Sequence, residues 1–364
     1  MKEGLTVDQF IDQITGLARA ADIEIYLVGG AVRDLLLGRE SSDLDFLVTG
    51  DPLTIARNAA DRLKGSFILL DEKNNVARVA VRKNGPVYTF DFTGVPHGQV
   101  EQDLLKRDFT VNAMALPVTA GLQRDRVDAR DIIDPAGGRH DLQSKIVKMV
   151  YPGAFEDDPL RMLRALRFRA ELGMALDDGT RADIGEAAAL LKEVSAERVR
   201  DEFFRILKVD RAYDTVIEMD DLGLLREIIL FRDEMAATDQ NGYHVDNVWE
   251  HCLNALRQLE GLDLHELGGG YAGELRGLLQ EEITPGRSRG QLLKFCMLIH
   301  DCGKPATRGI NKTGRITFIG HEQAGARKAG ELARRLALSN KETGFVRNMV
   351  LYHMRPLQLS RVTG

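Results

Sequence analysis

The stretch LVGGAVRDLLLGRESSDLDFLV, residues 27–48, decides how the amino-terminal part of this chain folds. It takes an apolar run, EIYLV, into the glycines Gly29 and Gly30, then through a segment carrying Arg33 and Asp34 to a second apolar run holding Asp43 and Asp45. In a β-strand, residues i and i+2 share a face, so the two carboxylates project together while Leu44 and Phe46 turn into a core. Adjacent carboxylates repel, and a hard divalent cation such as Mg²⁺, which takes oxygen ligands and often shares them with substrate phosphates, relieves that repulsion. A helix beginning near Ala31, with unhindered glycine N–H groups at its start, offers the complementary anion site for a triphosphate. An isolated Asp-x-Asp is common at turns and caps; the glycines and Arg33 at the same edge set this one apart. The implied chemistry is metal-assisted attack on a nucleotide phosphate.

Three further blocks follow in order: LLKRDFTVNAMAL at 104–116, IIDPAGGRHDL at 132–142 and FEDDPLRMLRALRFRAEL at 155–172. Together the four blocks resemble the signature of the class II tRNA nucleotidyltransferase and bacterial poly(A) polymerase family, within the DNA polymerase β type superfamily. Lys106 stands where that family has the first of two arginines. The resemblance implies an α+β fold, with a small mixed-sheet nucleotidyltransferase head followed by an all-α neck, body and HD-type helical domain. It also implies Mg²⁺ on Asp43 and Asp45, a third acid at Asp91 in VYTFDFT, and nucleotide contacts from Gly29, Gly30, Arg33, Arg107, Asp108 and Asn112. Asp91 also reads as a strand-end acid facing solvent, and Asp108 as a cap for an apolar helix beginning VNAMAL.

Asp158 and Arg161 are three residues apart, which places them side by side on a helix over 155–170. A carboxylate accepts from the exocyclic amino group of cytosine or adenine, and an arginine fork donates to the neighbouring ring acceptor. Uracil and guanine present a carbonyl instead and would face the carboxylate unpaired. In the family these positions template the incoming base; the plain alternative is an i, i+3 salt bridge. Arg164 and Arg167 extend the row toward triphosphate or primer phosphates.

The net charge of -6 is low for an RNA binder, but phosphate responds to local density of cations rather than to the total. Arg161, Arg164, Arg167 and Arg169, with Arg198, Arg200 and Arg205, read as a basic stripe. Cys252, Cys296 and Cys302 form no CxxC pair, so buried thiols in a reduced compartment are expected. No apolar run approaches the roughly 18 residues that span a bilayer, and MKEGLTVDQF does not read as a signal peptide, which points to the cytoplasm.

Thr6-x-x-Gln9 reads as a capping box, and alternating runs predict strands near 23–28, 44–48, 66–70, 76–81 and 87–93, with a helix from Pro52 to about Lys64. From about 150 onward the periodicity is almost wholly helical. The expected division is a head over 1–145, a helical neck and body over 146–240, and an HD-type domain over 241–364. In that last part His251, the adjacent His300-Asp301, His321 and His353 resemble the ligands of HD phosphohydrolases and imply a second divalent metal; His244 lies seven residues before His251. HD proteins usually close the site with a late acid, yet no aspartate follows His353, so the sequence reads as either shortened or incomplete there. The expected partners are tRNA, CTP and ATP, with no membrane. The segment TGVPHGQVEQDLLKRDFT looks shorter than the flexible loop of full CCA-adding enzymes and favours CC addition slightly over CCA addition. Poly(A) polymerase, and an HD phosphohydrolase as the main activity, are the alternatives.

Overall fold

The computed structural model describes residues 6–82, 87–118, 127–240 and 246–355. The chain divides into two compact units, Met1–Ala154 with Met174–Thr180, and Phe155–Gly173 with Arg181–Gly364.

In the first unit Thr6 caps α1 (Val7–Ala20), with Gln9 as its reciprocal partner. Then come β1 (Ile25–Val28), α2 (Gly30–Leu36), β2 (Asp43–Val48), α3 (Pro52–Leu63), β3 (Ser66–Asp71), β4 (Val76–Arg82) and β5 (Val87–Gly94). Pro52 starts α3 because its missing N–H has no helical acceptor there, and the Asp51 carboxylate accepts from the N–H groups of Leu53 and Thr54. With β6 (Ala115–Pro117) the strands form one sheet in the order β3-β4-β5-β2-β1-β6. Only the β2–β5 pair is parallel, so the sheet is mixed, as expected. Phe46 stacks on Phe92 at 5.4 Å, and Phe90 meets Phe10 of α1 edge-on at 5.5 Å. Burying these rings on one face leaves Asp43 and Asp45 on the other.

Two local expectations fail. The helix expected at VNAMAL is a single 3₁₀ turn, Thr110–Asn112, after which Ala115–Pro117 pair with β1. Residues 109–116 are buried throughout, and a short run buried on all sides carries no periodicity to separate strand from helix. The helix expected over 155–170 breaks into Ala154–Asp157 and Leu160–Leu172, because Pro159 lacks an N–H and drives the residue before it out of helical geometry.

The second unit is helical. Its longer helices include Leu160–Leu172, Ala196–Lys208, Val248–Gly261, Arg289–Ile299, His321–Arg335 and Asn340–Tyr352. Phe203 and Phe204 pack against Phe295 at 6.2 and 5.7 Å, tying Ala196–Lys208 to Arg289–Ile299. Buried Glu342 fixes the start of the last helix: it completes the capping box of Ser339 and accepts from Arg287 Nε at 2.5 Å and Thr284 Oγ1 at 2.7 Å.

Burial alone would raise the Glu342 carboxyl, but the Arg287, Ser339 and Thr284 donors bring it down from 4.5 to about 2. A depressed carboxyl stabilises the fold above its unfolded value and loses that contribution as pH falls toward the folded one. Urea unfolding of Glu342→Gln should therefore show a deficit of about 2–3 kcal/mol at pH 7. That deficit should shrink between about pH 4.5 and pH 2; a gap unchanged across that window would contradict the assignment.

Candidate active site

In the parallel β2–β5 register Asp45 lies beside Asp91 and Asp43 beside Thr89, whose hydroxyl donates to the Asp43 carboxylate. Across the antiparallel β4–β5 pair, Asp91 lies beside Arg78. Strand parity therefore sets Asp45, Asp91 and Arg78 in one row, with Asp43 one pleat away. The Asp45 carboxyl is pushed up by desolvation and by the charge of Asp91, with a smaller push from Asp43, while Arg107 and Arg78 pull the other way. An all-oxygen set whose own repulsion destabilises its ionised form fits a hard divalent cation. Arg78 grips Asp91 through two hydrogen bonds, both 2.7 Å. Sequence reasoning passed over Arg78, although the alternation of VARVAVR, with Ala77, Val79 and Val81 buried, already turns it to the acidic face.

The glycine turn is built closely around the same edge. Gly29 has φ +69°, and a Cβ there would stand 2.8 Å from Arg107 Nη1 and 3.7 Å from Asp45 Oδ2, so glycine lets the backbone pass under both groups. Its N–H donates to the Met114 carbonyl at 3.1 Å, so this amide is occupied within the protein, and Gly30 opens α2. Arg33 is buried and donates to Asn112 Oδ1 at 2.7 Å. Asn112 in turn donates to Asp108 Oδ1 at 3.2 Å, and Asp108 accepts from the Phe109 N–H at 2.8 Å. Arg33, Asp108 and Asn112 thus form a buried polar brace beneath the turn, and the capping role considered for Asp108 falls with the helix, since the turn Thr110–Asn112 starts from Phe109 with no side-chain cap. Arg107 reaches Asp103 at 3.3 Å.

Because of the break at Pro159, Asp158 precedes the helix Leu160–Leu172 rather than lying within it. Its Oδ1 accepts from the Leu160 N–H at 3.2 Å, its backbone carbonyl accepts from the Arg161 N–H at 3.0 Å, and its Oδ2 pairs with Arg198 at 2.8 Å. Both Asp158 and Arg161 remain half-buried. Arg167 departs from the expected phosphate row: it is buried, bonded to Glu202 at 2.7 Å and Glu171 at 2.9 Å, and set over the Phe168 ring at 4.2 Å. Arg164 lies 3.9 Å from Glu202. The wider basic stripe is likewise largely neutralised, with Arg169 on Glu218, Arg200 on Asp201 and Arg205 on Glu202. Counting arginines along helices missed the acids interleaved with them.

In the second unit all five expected ligands converge. Asp301, only 2% exposed, has Oδ2 3.4 Å from both His251 Nε2 and His300 Nε2, and Oδ1 3.5 Å from His321 Nε2 and 3.4 Å from His353 Nε2. The carbonyls of Met297, Phe318 and Val350 accept from Nδ1 of His300, His321 and His353 at 2.9, 2.8 and 2.7 Å, which orients each ring with its Nε2 toward Asp301. Converging imidazole nitrogens and a carboxylate fit a divalent transition metal. Burial would raise the Asp301 carboxyl, yet His300, His353 and Lys304 hold it well below the usual range. Gly303 permits the assembly, since a Cβ there would strike the His321 carbonyl oxygen. Lys304, which sequence reasoning also passed over, pairs with Asp301 Oδ2 at 2.7 Å. The three cysteines are buried, and burial raises the thiols of Cys296 and Cys302. His244 and the closing SRVTG lie outside the described residues.

Comparisons with known proteins agree with this geometry. The family description "Poly A polymerase head domain" matches residues 25–148, "Probable RNA and SrmB- binding site of polymerase A" matches 173–235, and "HD domain" matches 248–361. The chain is 36% identical to a CC-adding tRNA nucleotidyltransferase of Geobacter sulfurreducens, over 80% of this chain and 63% of that one. It is 34% identical to an A-adding tRNA nucleotidyltransferase of Deinococcus radiodurans, over 90% of this chain and 68% of that one. It thus spans about two thirds of the length of these relatives. A crystal structure of a tRNA nucleotidyltransferase complexed with a primer tRNA and an incoming ATP analog superposes with TM-score 0.60 at 28% identity, covering 79% of this chain and 75% of that chain. A tRNA-processing enzyme in apo form, at 23% identity, shares the fold with TM-score 0.67 over 97% of this chain and 78% of its own. No helix among the described residues is long and apolar enough to cross a membrane. With an acid-bearing mixed sheet, a helical second unit and a five-ligand HD cluster all in place, the chain belongs to the tRNA nucleotidyltransferase and poly(A) polymerase family.

Proposed function

We propose that this protein adds C, or C and A, nucleotides from CTP and ATP to the 3′ end of tRNA without a nucleic-acid template, acting in the cytoplasm. The observation that carries the proposal is the Asp43–Asp45–Asp91 row on one open sheet face. The organisation we propose is a head over 1–145, a neck and body over 146–240, and an HD-type domain over 241–364.

Asp43 and Asp45 would hold Mg²⁺, which when bound supplies charge neutralisation at the triphosphate and a more acidic primer hydroxyl. The 3′-hydroxyl of the RNA attacks the α-phosphate in line, the bond to the β-phosphate oxygen breaks, and pyrophosphate leaves. No side chain acts as nucleophile. Gly29 keeps the turn open beside Asp45 and Arg107, while the Arg33–Asn112–Asp108 brace holds that turn rigid. Arg78 positions Asp91 and limits the negative charge of the row. Asp158 and Arg161 select the base. Since Asp158 already pairs with Arg198, base recognition by Asp158 exchanges one donor for another instead of exposing a bare carboxylate. The link between β5 and the helix Val100–Leu104 is only residues 95–99, tied by the Val95 N–H to the Val48 carbonyl at 2.9 Å. So short a link favours CC addition over the full CCA sequence.

The HD cluster supports a second reading, a metal-dependent phosphohydrolase, because four imidazoles converge there on one buried carboxylate. There the five ligands would hold divalent metal and activate water toward a phosphate ester.

Incubating tRNA that ends at the discriminator base with Mg²⁺ and CTP alone, ATP alone or both should give a two-nucleotide extension with CTP alone. Extension by ATP alone as the only product would overturn the CC assignment. Asp43→Ala and Asp45→Ala should each lower transfer at least about 10³-fold, while unfolding free energies stay within about 0.5 kcal/mol because both side chains are on the open face. Asp158→Ala should reduce the preference for CTP over UTP by roughly 10-fold or more, measured as a ratio of kcat/KM values. Unaltered discrimination would remove the templating role.

A further inference from the structure

The two ends of the sheet in the first unit are finished differently. β6 closes one end with three residues, the last of them Pro117, and Ala115 is bridged there to Ile133. Proline cannot donate to a further strand, so that edge is guarded. β3 closes the other end with six residues, SFILLD, and among the described residues no strand lies beyond it. An edge strand turns every second N–H and C=O outward, and charged residues or proline within it are the usual protection against pairing. Residues Ser66 to Leu70 include neither. Ile68, Leu69 and Leu70 are 42%, 42% and 46% exposed, which makes an apolar run at an open edge. A bulge between Leu69 and Asp71 limits its regular length.

We infer that β3 pairs antiparallel with β3 of a second copy of this chain, joining two copies through one continuous sheet. The sequence around the strand is complementary to itself about a two-fold axis at Ile68. Counting outward from that axis, Ile68 meets Ile68 of the second copy, Phe67 meets Leu69, and Lys64 falls opposite Glu72. Strand parity agrees: Ile68 pairs with Arg78 on the open face, while Phe67 and Leu69 pair with the buried Val79 and Ala77 on the other. Lys64 and Glu72 are exposed and flank the strand, so each end of the ladder gains an opposite-charge pair. Neighbouring registers lack this match. An axis at Leu69 would set Asp71 against Phe67, and one at Phe67 would set Lys64 against Leu70. A ladder this short buries less than the roughly 1,200–2,000 Å² of a standard interface, so the dimer is a weak one, with Kd on the order of 10–100 µM.

The test is sedimentation velocity of the full chain, without nucleotide or RNA, from about 1 to about 300 µM, a range that brackets such a Kd. The sedimenting species should shift from one chain to two. Ile68→Lys sets like charges face to face at the axis and should weaken association at least about 10-fold. Lys64→Glu should weaken it roughly 5-fold, and Lys64→Glu combined with Glu72→Lys should restore it, because the exchanged pair is again complementary. The three native cysteines are buried, so Ile68→Cys adds one exposed thiol per chain, and diamide, reduced as it oxidises two thiols, should link two chains across the axis. Asn74→Cys, in the turn beyond the strand, should give no such link. Should Ile68→Lys fail to fold, Lys64→Glu and the charge exchange decide the matter. A single-chain species at every concentration, or a dimer indifferent to both Ile68→Lys and Lys64→Glu, would overturn the inference. A single-chain species whose β3 amides gain hydrogen-exchange protection only on addition of tRNA would also overturn it and assign the edge to RNA.

Discussion

Like-charge repulsion held in place by backbone hydrogen bonds is the constraint on which the head depends. Asp43 and Asp45 share a face because they are two apart on β2, and Asp91 joins them because β5 runs parallel in register alongside. The sheet cannot relieve the strain by sliding, since a one-residue slip would bring Leu44 and Phe46 out of the core and turn both acids in. Relief has to come from cations. The protein supplies part of it from Arg78 and Arg107, and the remainder is what fits a divalent metal and a nucleotide.

The same logic recurs in the second unit with different ligands. There four imidazoles gather around one buried carboxylate, and the elements that place three of them are helix ends: His300 and His353 each close a helix and His321 opens one. Each ring is oriented by a backbone carbonyl three residues earlier, so the cluster is preorganised by helix geometry rather than by flexible side-chain contacts. Oxygen ligands in one unit and imidazole in the other give the chain two sites of different hardness.

Strands β2, β4 and β5 were legible in the sequence because buried apolar residues alternate there with more exposed ones, while β1 and β3 showed as short apolar runs. The short strand β6 was not, since residues 109–116 are buried on every side and leave no alternation to read. The five HD ligands were legible as residue types, because histidine is rare in this chain and four of its eight histidines are among them, one followed directly by Asp301. What stayed hidden were the partners. Arg78 on Asp91, Arg198 on Asp158, Glu202 on Arg167 and Lys304 on Asp301 are set by strand register, helix packing or a helix-end turn, and the first three join residues 13 to 40 positions apart. Arg167 shows the consequence: as one of a row of arginines it reads as a phosphate contact, but in the folded chain its charge is consumed by Glu202 and Glu171.

The most direct examination of the central claim is anomalous diffraction from crystals of the full chain soaked with Mn²⁺ and a non-hydrolysable CTP analogue. The account predicts an anomalous peak in contact with the carboxylates of both Asp43 and Asp45 and with triphosphate oxygens. A bound nucleotide with no peak at these acids, or with both side chains turned away from any ion, would contradict it.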